Sequence, residues 1–177
     1  MSTPADTTSG AATAPVSAVE QRLAELGLTL PEVPAPVAVY VPAVISGNHV
    51  YTSGQLPFIN GKLEATGKVS TGTEGYADEP TVSPEDAHRY AAVCAVNALA
   101  AVKSVIGDLD RITRIVKVVG FVSSDPSFTG QPGVINGASE LLGRVLGDAG
   151  QHARSAVGVN VLPLDSPVEL ELIAEFS

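Results

Sequence analysis

The C-terminal part of the chain contains the residues best suited to chemistry. Arg154 opens one predicted strand, and Glu169 and Glu171 lie along the next. A guanidinium presents a fixed fork of N–H donors that can hold a carboxylate through two parallel hydrogen bonds. A nearby carboxylate can orient or activate a water molecule. These residues therefore indicate chemistry on a small carboxylate-bearing molecule, although an arginine near a glutamate is more often an ordinary surface ion pair.

The two glutamates and a serine allow other hypotheses. Glu169 and Glu171 lie about 6.6 Å apart along a strand, and a glycosidase-like acid pair could use that spacing. Acids on an exposed sheet face are the commoner explanation. Ser53 has no evident base, which makes it a poor nucleophile, but its backbone and that of Gly54 could line a pocket closely.

The remaining reactive side chains favour structural roles. Cys94 lies among alanines and valines in a helical pattern, which is typical of a buried, unreactive thiol. The three histidines, His49, His88 and His152, have no metal-ligand spacing, so we expect no metal site.

Length, charge and hydropathy limit the classes of function. A chain of 177 residues is predicted to form one domain. Its formal net charge of −9 argues against a nucleic-acid partner. The start of the chain lacks the basic and apolar regions of a signal peptide, and we find no run that approaches a membrane span of about 20 apolar residues. We therefore expect a cytoplasmic protein with no membrane partner.

The pattern of caps, periodicity and turn signals predicts an ordered series of elements. Residues 1–16 have the composition of a disordered tail. A capping-box pattern from Ser17 to Glu20 opens a helix, and prolines then extend the chain, so residues 17–36 form an N-terminal helix and linker. The predicted elements that follow are strands at 37–46 and 49–55, an extended loop at 61–82, a helix from Ser83 to Gly107, a strand at 111–123, a helix from Pro132, and strands at 155–162 and 167–176.

This order predicts an α+β domain in which two helices cover one face of a mixed sheet. The strand at 115–122 is apolar at almost every position, which is typical of a strand buried on both faces. Because the two helices cover only one face, we expect other subunits to bury the second.

Several short segments stand together with characteristic spacing. The most specific are Thr-Ser-Gly-Gln at 52–55, Ala-Arg-Ser at 153–155 and Val-Glu-Leu-Glu at 168–171. In these segments the chain resembles the reactive intermediate deaminase (RidA, or YjgF) family, and its length is similar to that of a longer branch of the family. The resemblance covers residues 37–177 apart from the 61–82 loop. The segments that carry the resemblance are Val37-Ala38-Val39-Tyr40, Tyr51-Thr52-Ser53-Gly54-Gln55-Leu56-Pro57, Val118-Val119-Gly120-Phe121-Val122, Val134-Ile135-Asn136-Gly137, and Ala153-Arg154-Ser155 followed by Leu162-Pro163 and Val168-Glu169-Leu170-Glu171-Leu172-Ile173-Ala174.

The resemblance implies a chorismate-mutase-like (RidA-like) fold and a homotrimer with ligand sites in the clefts between subunits. It implies hydrolysis of reactive enamine and imine intermediates of 2-amino acids to 2-keto acids and ammonia, without a cofactor. By motif position, Arg154 would hold the substrate carboxylate and Glu169 would position the attacking water. The backbone carbonyl of Ala156 would contact the imine nitrogen or the water. The residues that would shape the cleft are Tyr40, Ser53, Gly54 and Asn136.

The chain departs from the family pattern at a few positions. Many members have cysteine where this chain has Ala156, and the residue before Ala153 is often proline but is His152 here. The N-terminal helix and the 61–82 loop are additions. One alternative function is a non-catalytic trimer that binds a small carboxylate metabolite as a sensor or regulator. A second, ribonuclease activity, is disfavoured by the acidic charge and the lack of a basic–aromatic patch.

Overall fold

A computed structural model describes residues 17–33, 39–72 and 81–177 of the chain. Within them, three helices and seven strands form a single α+β arrangement. Short 3-10 turns lie at Leu109–Arg111, Gly147–Gly150 and Pro163–Asp165. In chain order the helices and strands are α1 (Ala18–Glu25), β1 (Ala43–Ser46), β2 (His49–Thr52), β3 (Lys68–Val69), β4 (Thr81–Val82), α2 (Pro84–Ile106), β5 (Ile112–Ser123), α3 (Gln131–Leu146), β6 (Ala153–Val159) and β7 (Val168–Phe176).

The main sheet has the strand order β1-β2-β7-β5-β6. Its pairs are antiparallel except β5 with β6, which run parallel on either side of the α3 crossover. Helix α2 packs across β7, and α3 packs across β5 and β6. This confirms the predicted mixed sheet with two helices on one face.

The two faces of the sheet differ in their surroundings. The covered face carries Ile115, Val118 and Val122 of β5, all fully buried beneath the helices. The open face carries Val119 and Phe121, which remain partly exposed in the single chain. Burial of the open face by another subunit therefore stays a prediction.

Two glycines let α3 approach its neighbours closely. A Cβ at Gly120 of β5 would lie 2.4 Å from the Ile135 side chain, and one at Gly137 of α3 would lie 1.9 Å from the His88 carbonyl oxygen of α2. Larger residues at either position would push α3 away. Gly120 therefore sets the distance of α3 from the sheet and Gly137 its distance from α2, and together they determine the position of the polar face of α3.

The helix caps are those that the sequence indicates. The hydroxyl of Ser83 accepts a hydrogen bond from the Asp86 N–H, and Pro84 occupies the first turn of α2. Gly107 ends this helix with a φ of 83°. The apolar window of α2 is long enough to cross a bilayer, contrary to our expectation that no segment would be, but 67% of that window is buried inside the fold. It is thus typical of the core helix of a globular protein.

Hydrogen bonds to Asp110 connect the start of the N-terminal helix α1 to the rest of the fold. Ser17 caps it by accepting from the Glu20 N–H. The carboxylate of Asp110 accepts hydrogen bonds from the Ser17 hydroxyl and from the N–H groups of Ala18 and Val19. One acidic side chain thus satisfies the free donors at the start of α1.

Several predicted strand bounds are wrong. The first strand begins at Ala43, because bends at residues 39, 40 and 42 precede it and Pro42 has no N–H to donate to the ladder. The second ends at Thr52. β6 begins at Ala153 and ends at Val159, short of the turn in which Leu164 and Asp165 have positive φ values of 56°. The predicted tail at 1–16 lies outside the described residues, as do residues 34–38, which end the predicted linker and start the predicted first strand. Residues 73–80 of the loop also lie outside them, and the flanks of that loop form the β3–β4 pair.

Candidate functional site

Arg154 lies on the edge strand β6, and its side chain extends over the covered face to α3. Its Nη1 donates to Asn136 Oδ1 at 2.8 Å and to Ser139 Oγ at 3.0 Å, and its Nη2 donates to the Pro132 carbonyl at 3.3 Å. The three acceptors are spaced i, i+4 and i+7, so they share one face of α3. The side chain is therefore held in one orientation before any ligand arrives.

These contacts leave a defined part of the guanidinium available. Both Nη1 hydrogens have acceptors, and Nη2 uses one hydrogen for the Pro132 carbonyl. Among the described residues, the Nε–H and the second Nη2–H of Arg154 have no acceptor. Two adjacent donors of a planar guanidinium match the two oxygens of a carboxylate.

The carbonyl of Ala156 is available at the same edge. In a regular strand the N–H and C=O groups of successive residues point alternately to the two sides. The Val159 carbonyl accepts from the Ser124 N–H on the β5 side, so the carbonyls of residues 157, 155 and 153 face β5 as well. The carbonyls of Ala156 and Arg154 therefore point to the free edge of β6, which is the outer strand of the described sheet.

A second group of predicted site residues surrounds Glu169 on the open face. Gly54 lies directly against the carboxylate, since a Cβ there would be 1.7 Å from Glu169 Oε1. The Ser53 hydroxyl donates to the Val41 carbonyl at 2.6 Å, which ties the segment after β2 to the segment before β1. Tyr40, next to Val41, is 68% exposed, so it does not act as a packing residue in the single chain.

Burial raises the pKa of the Glu169 carboxyl, and the charge of Glu171 raises it further. Glu169 is half-buried and pairs with Phe121 across the β5–β7 ladder, while Glu171 pairs with Val119. The two acids thus lie on the same face at alternate positions. A raised pKa makes Glu169 a better proton acceptor than an ordinary carboxylate, which suits a group that exchanges a proton with water.

The two groups do not meet within one chain. Arg154 is opposite Val118 of β5, and Glu169 is opposite Phe121 on the other side of that strand. Two strand spacings and three residues of rise separate their Cα atoms by about 14 Å in the plane of the sheet. Their side chains also extend from opposite faces. Each chain therefore carries two half-sites: an arginine half-site (Arg154, Asn136 and Ala156) and a glutamate half-site (Glu169, Gly54, Ser53 and Tyr40).

The sequence analysis did not identify Ser139, and it treated His152 as a histidine without metal-ligand spacing and as a departure from the family pattern, with no role at the site. Ser139 Oγ accepts from Arg154, and it lies 3.0 Å from His152 Nε2. The spacing of Ser139 from Asn136, one turn along the helix, was the available signal. Cys94, by contrast, is fully buried as expected, and burial raises the pKa of its thiol well above the usual value, with a further contribution from the charge of Glu169.

One cavity lies away from both half-sites. It has a volume of about 760 Å³ and is lined by α1, the segment after it and the second half of α2. Its walls are mainly apolar and include Leu23, Leu28 and Ala100. Neither half-site contributes to it. Among the described residues, no group of three or more histidine, cysteine, aspartate or glutamate side chains is arranged to hold a metal ion.

Comparisons with known proteins agree with this architecture. The family described as "YjgF/chorismate_mutase-like, putative endoribonuclease" matches residues 20–176. Protein TCP17 of Trypanosoma cruzi is 39% identical over 160 residues, which are 90% of this chain and 94% of that protein.

Solved structures extend the match. The protein Atu1372 of Agrobacterium tumefaciens, of unknown function, is 46% identical with a TM-score of 0.79, covering 90% of this chain and 93% of its own. E. coli TdcF, solved with bound serine, is 25% identical with a TM-score of 0.58, covering 82% and 94%. Because the family match spans nearly the whole chain and the fold agrees, the chain belongs to the YjgF/RidA family and has its chorismate-mutase-like fold.

Proposed function

We propose that this protein hydrolyses reactive imines and enamines of 2-amino acids to 2-keto acids and ammonia. The observation that carries the proposal is the preset guanidinium of Arg154, which offers two free donors at the edge of β6. A 2-imino acid has a planar carboxylate beside the reacting C=N bond. Holding that carboxylate in one orientation fixes the position of the electrophilic carbon.

The other half-site supplies the proton chemistry. Water adds to the imine carbon: a C–O bond forms, the C=N π bond breaks, and the nitrogen gains one proton from the water. The hydroxyl proton of this adduct then moves to the nitrogen, the C–N bond breaks, ammonia leaves, and the ketone C=O forms. Glu169 would accept a proton from the water and return it to the nitrogen, while the Ala156 carbonyl would accept a hydrogen bond from the N–H or the water.

The reaction requires the two half-sites to come together, and we propose that they do so between copies of the chain in a trimer. The arginine half-site lies at a free strand edge and the glutamate half-site lies on the open face, so a neighbouring copy could bring one against the other. A bound imine would then contact Arg154 of one subunit and Glu169 of the next.

Subunit mixing tests both the reaction and its division between copies. Arg154→Lys and Glu169→Gln should each lose most activity towards a 2-imino acid generated in situ. Lysine keeps the charge but loses the planar fork, and for Arg154→Lys we expect a loss of about 30- to 1000-fold, or 2–4 kcal/mol.

When the two variants are unfolded together and reassembled, about a quarter of the interfaces in a cyclic trimer should carry both native residues. The activity of the reassembled mixture should therefore return to about a quarter of the wild-type activity. A mixture that stays inactive although mixed trimers form would show that the site is not shared between subunits. A light-scattering mass of a monomer at micromolar concentration would contradict the trimer itself.

The non-catalytic alternative also has an observation in its favour. TdcF was solved with serine, an amino acid that has a carboxylate but no C=N bond to hydrolyse. A protein of related fold can thus bind a stable amino acid. If the wild-type protein binds a 2-keto acid through Arg154 but does not turn over imines, the sensor or regulator function is the correct one.

A further inference from the structure

A chain of hydrogen bonds continues from Arg154 into the fold behind it. Arg154 Nη1 is 3.0 Å from Ser139 Oγ, Ser139 Oγ is 3.0 Å from His152 Nε2, and His152 Nδ1 is 2.6 Å from the Gly150 carbonyl oxygen. Ser139 and His152 are both partly buried.

When the His152 imidazole is neutral, the chemistry of the two ends sets the direction of every bond. A carbonyl oxygen only accepts, so His152 Nδ1 is protonated and donates a hydrogen bond to the Gly150 carbonyl oxygen. A guanidinium only donates, so Ser139 Oγ accepts from Arg154. The Ser139 hydroxyl hydrogen then remains to be donated to the lone pair of His152 Nε2, which a neutral imidazole with a protonated Nδ1 presents.

The Gly150 carbonyl at the end of the chain has a fixed position. Gly150 closes the 3-10 turn that follows α3, and it packs so closely on that helix that a Cβ would lie 2.3 Å from the Leu142 carbonyl oxygen. His152 immediately precedes β6, which carries Arg154. This series of hydrogen bonds therefore joins β6, which carries Arg154, to α3, whose residues accept hydrogen bonds from Arg154.

We propose that Ser139 and His152 are positioning residues that determine how Arg154 binds its ligand, an inference that rests on the proposed carboxylate-binding role of Arg154. With Ser139 and Asn136 occupying both Nη1 hydrogens, the carboxylate can be bound only through the Nε–H and the remaining Nη2–H. This restricts the ligand to a side-on approach. A guanidinium that is already fixed also loses little conformational freedom on binding.

Binding measurements on trimeric protein test the proposal. With pyruvate as the 2-keto acid probe, Ser139→Ala and His152→Leu should each weaken binding by about 3- to 10-fold, as expected for one lost hydrogen bond in such a network. KM should rise by a similar factor with little change in kcat, because Glu169 is untouched. His152→Gln, whose amide oxygen can still accept from Ser139, should recover part of the affinity.

Two further variants separate positioning from general destabilisation. Ser104→Ala removes a hydroxyl that bonds within α2, to the Ala101 carbonyl, and should leave pyruvate binding unchanged. The double variant Ser139→Ala/His152→Leu should bind pyruvate no more weakly than the single variants, because each single substitution already breaks the same series of hydrogen bonds. Additive losses would contradict the coupling.

A spectroscopic readout keeps this inference separate from the proposed function. Long-range ¹H–¹⁵N spectra of the neutral imidazole should show His152 protonated at Nδ1, and Ser139→Ala should shift its Nε2 resonance and speed the exchange of the Arg154 Nε–H. If pyruvate binds neither the wild type nor Arg154→Lys but these signals are as expected, the proposed function fails and the hydrogen-bond chain stands. A proton on Nε2, or Ser139→Ala binding pyruvate as tightly as wild type while Arg154→Lys does not, overturns the positioning role.

Discussion

Replacing Gly54 by alanine should disable Glu169 without unfolding the protein. The new Cβ would lie 1.7 Å from Glu169 Oε1 and 2.7 Å from its carboxyl carbon. Contacts below 3.0 Å are not tolerated, so the carboxylate must retreat by about 1.3 Å. A misplacement of about 1 Å in a reacting group can cost about 100-fold in rate, which corresponds to about 2.7 kcal/mol.

The fold should tolerate this substitution for two reasons. The atoms that must move are the end of a flexible side chain, and Gly54 does not have the positive φ that would strain an alanine. Alanine also has less conformational freedom than glycine in the unfolded chain, which stabilises the folded state by about 0.4–1 kcal/mol. We therefore expect a melting temperature close to that of the wild type.

The assay compares kcat/KM for a 2-imino acid in Gly54→Ala, Glu169→Gln and the double variant. If alanine acts through the carboxylate, the double variant should be no slower than Glu169→Gln alone. Gly143→Ala is the matched control, because it adds a methyl group to α3 with nothing within 4 Å and should stabilise the helix by about 0.5–1 kcal/mol. Wild-type turnover by a folded Gly54→Ala protein would refute the role assigned to Glu169.

Four other outcomes are expected. Glu171→Gln should move the acidic limb of the pH–rate profile to lower pH, because it removes a charge that raises the pKa of Glu169, and an unshifted limb would show that another group titrates there. Cys94 should react with a thiol reagent only after unfolding, since burial is the main cause of its raised pKa. Burial opposes ionisation of Asp110, but hydrogen bonds from Ala18, Val19 and other donors at the start of α1 outweigh it and lower its pKa. Asp110→Asn should therefore lower the free energy of unfolding by about 1–2 kcal/mol at neutral pH after allowance for solvent screening. This difference from the wild type should disappear as the pH falls through the lowered pKa of Asp110. It would be absent at every pH if α1 did not depend on this carboxylate. RNA should bind weakly at physiological salt because the chain has a net charge of −9, and submicromolar binding would contradict this expectation.

Local signals in the sequence were sufficient to predict most elements of the fold. Ser83, Pro84 and Gly107 define the ends of α2 because capping depends on residues within one turn of the helix end. The alternation of acids and apolar residues in β7 predicts correctly which of its residues share a face. The start of β1 was placed too early because residues 37–41 have strand-like composition, whereas the proline at position 42 and the contact of Ser53 with Val41 determine the observed bends.

The separation of Arg154 from Glu169 could not be predicted from local pattern. Alternation assigns each side chain to one of two faces of its own strand, but not to the same face as a residue on another strand. That depends on the order of the strands, and β5 lies between β6 and β7 although it precedes both in sequence. The contact between Ser139 and His152 depends likewise on the turn at Gly147–Gly150, which brings the chain back onto α3.

Three features of the single chain that would be unfavourable in isolation have one common explanation in the proposed trimer. The edge strand β6 presents unpaired backbone groups to solvent, which invites pairing with another chain. The open face exposes part of Val119 and Phe121 beside the ionisable Glu169, and Tyr40 is largely exposed near the same half-site. A neighbouring copy that covers these surfaces would bury the apolar groups and shield Glu169 from bulk solvent, while leaving room for the attacking water. It would also bring an arginine half-site to a glutamate half-site. Assembly and chemistry would then depend on the same contacts, so that the reactive site is complete only when the subunits are assembled.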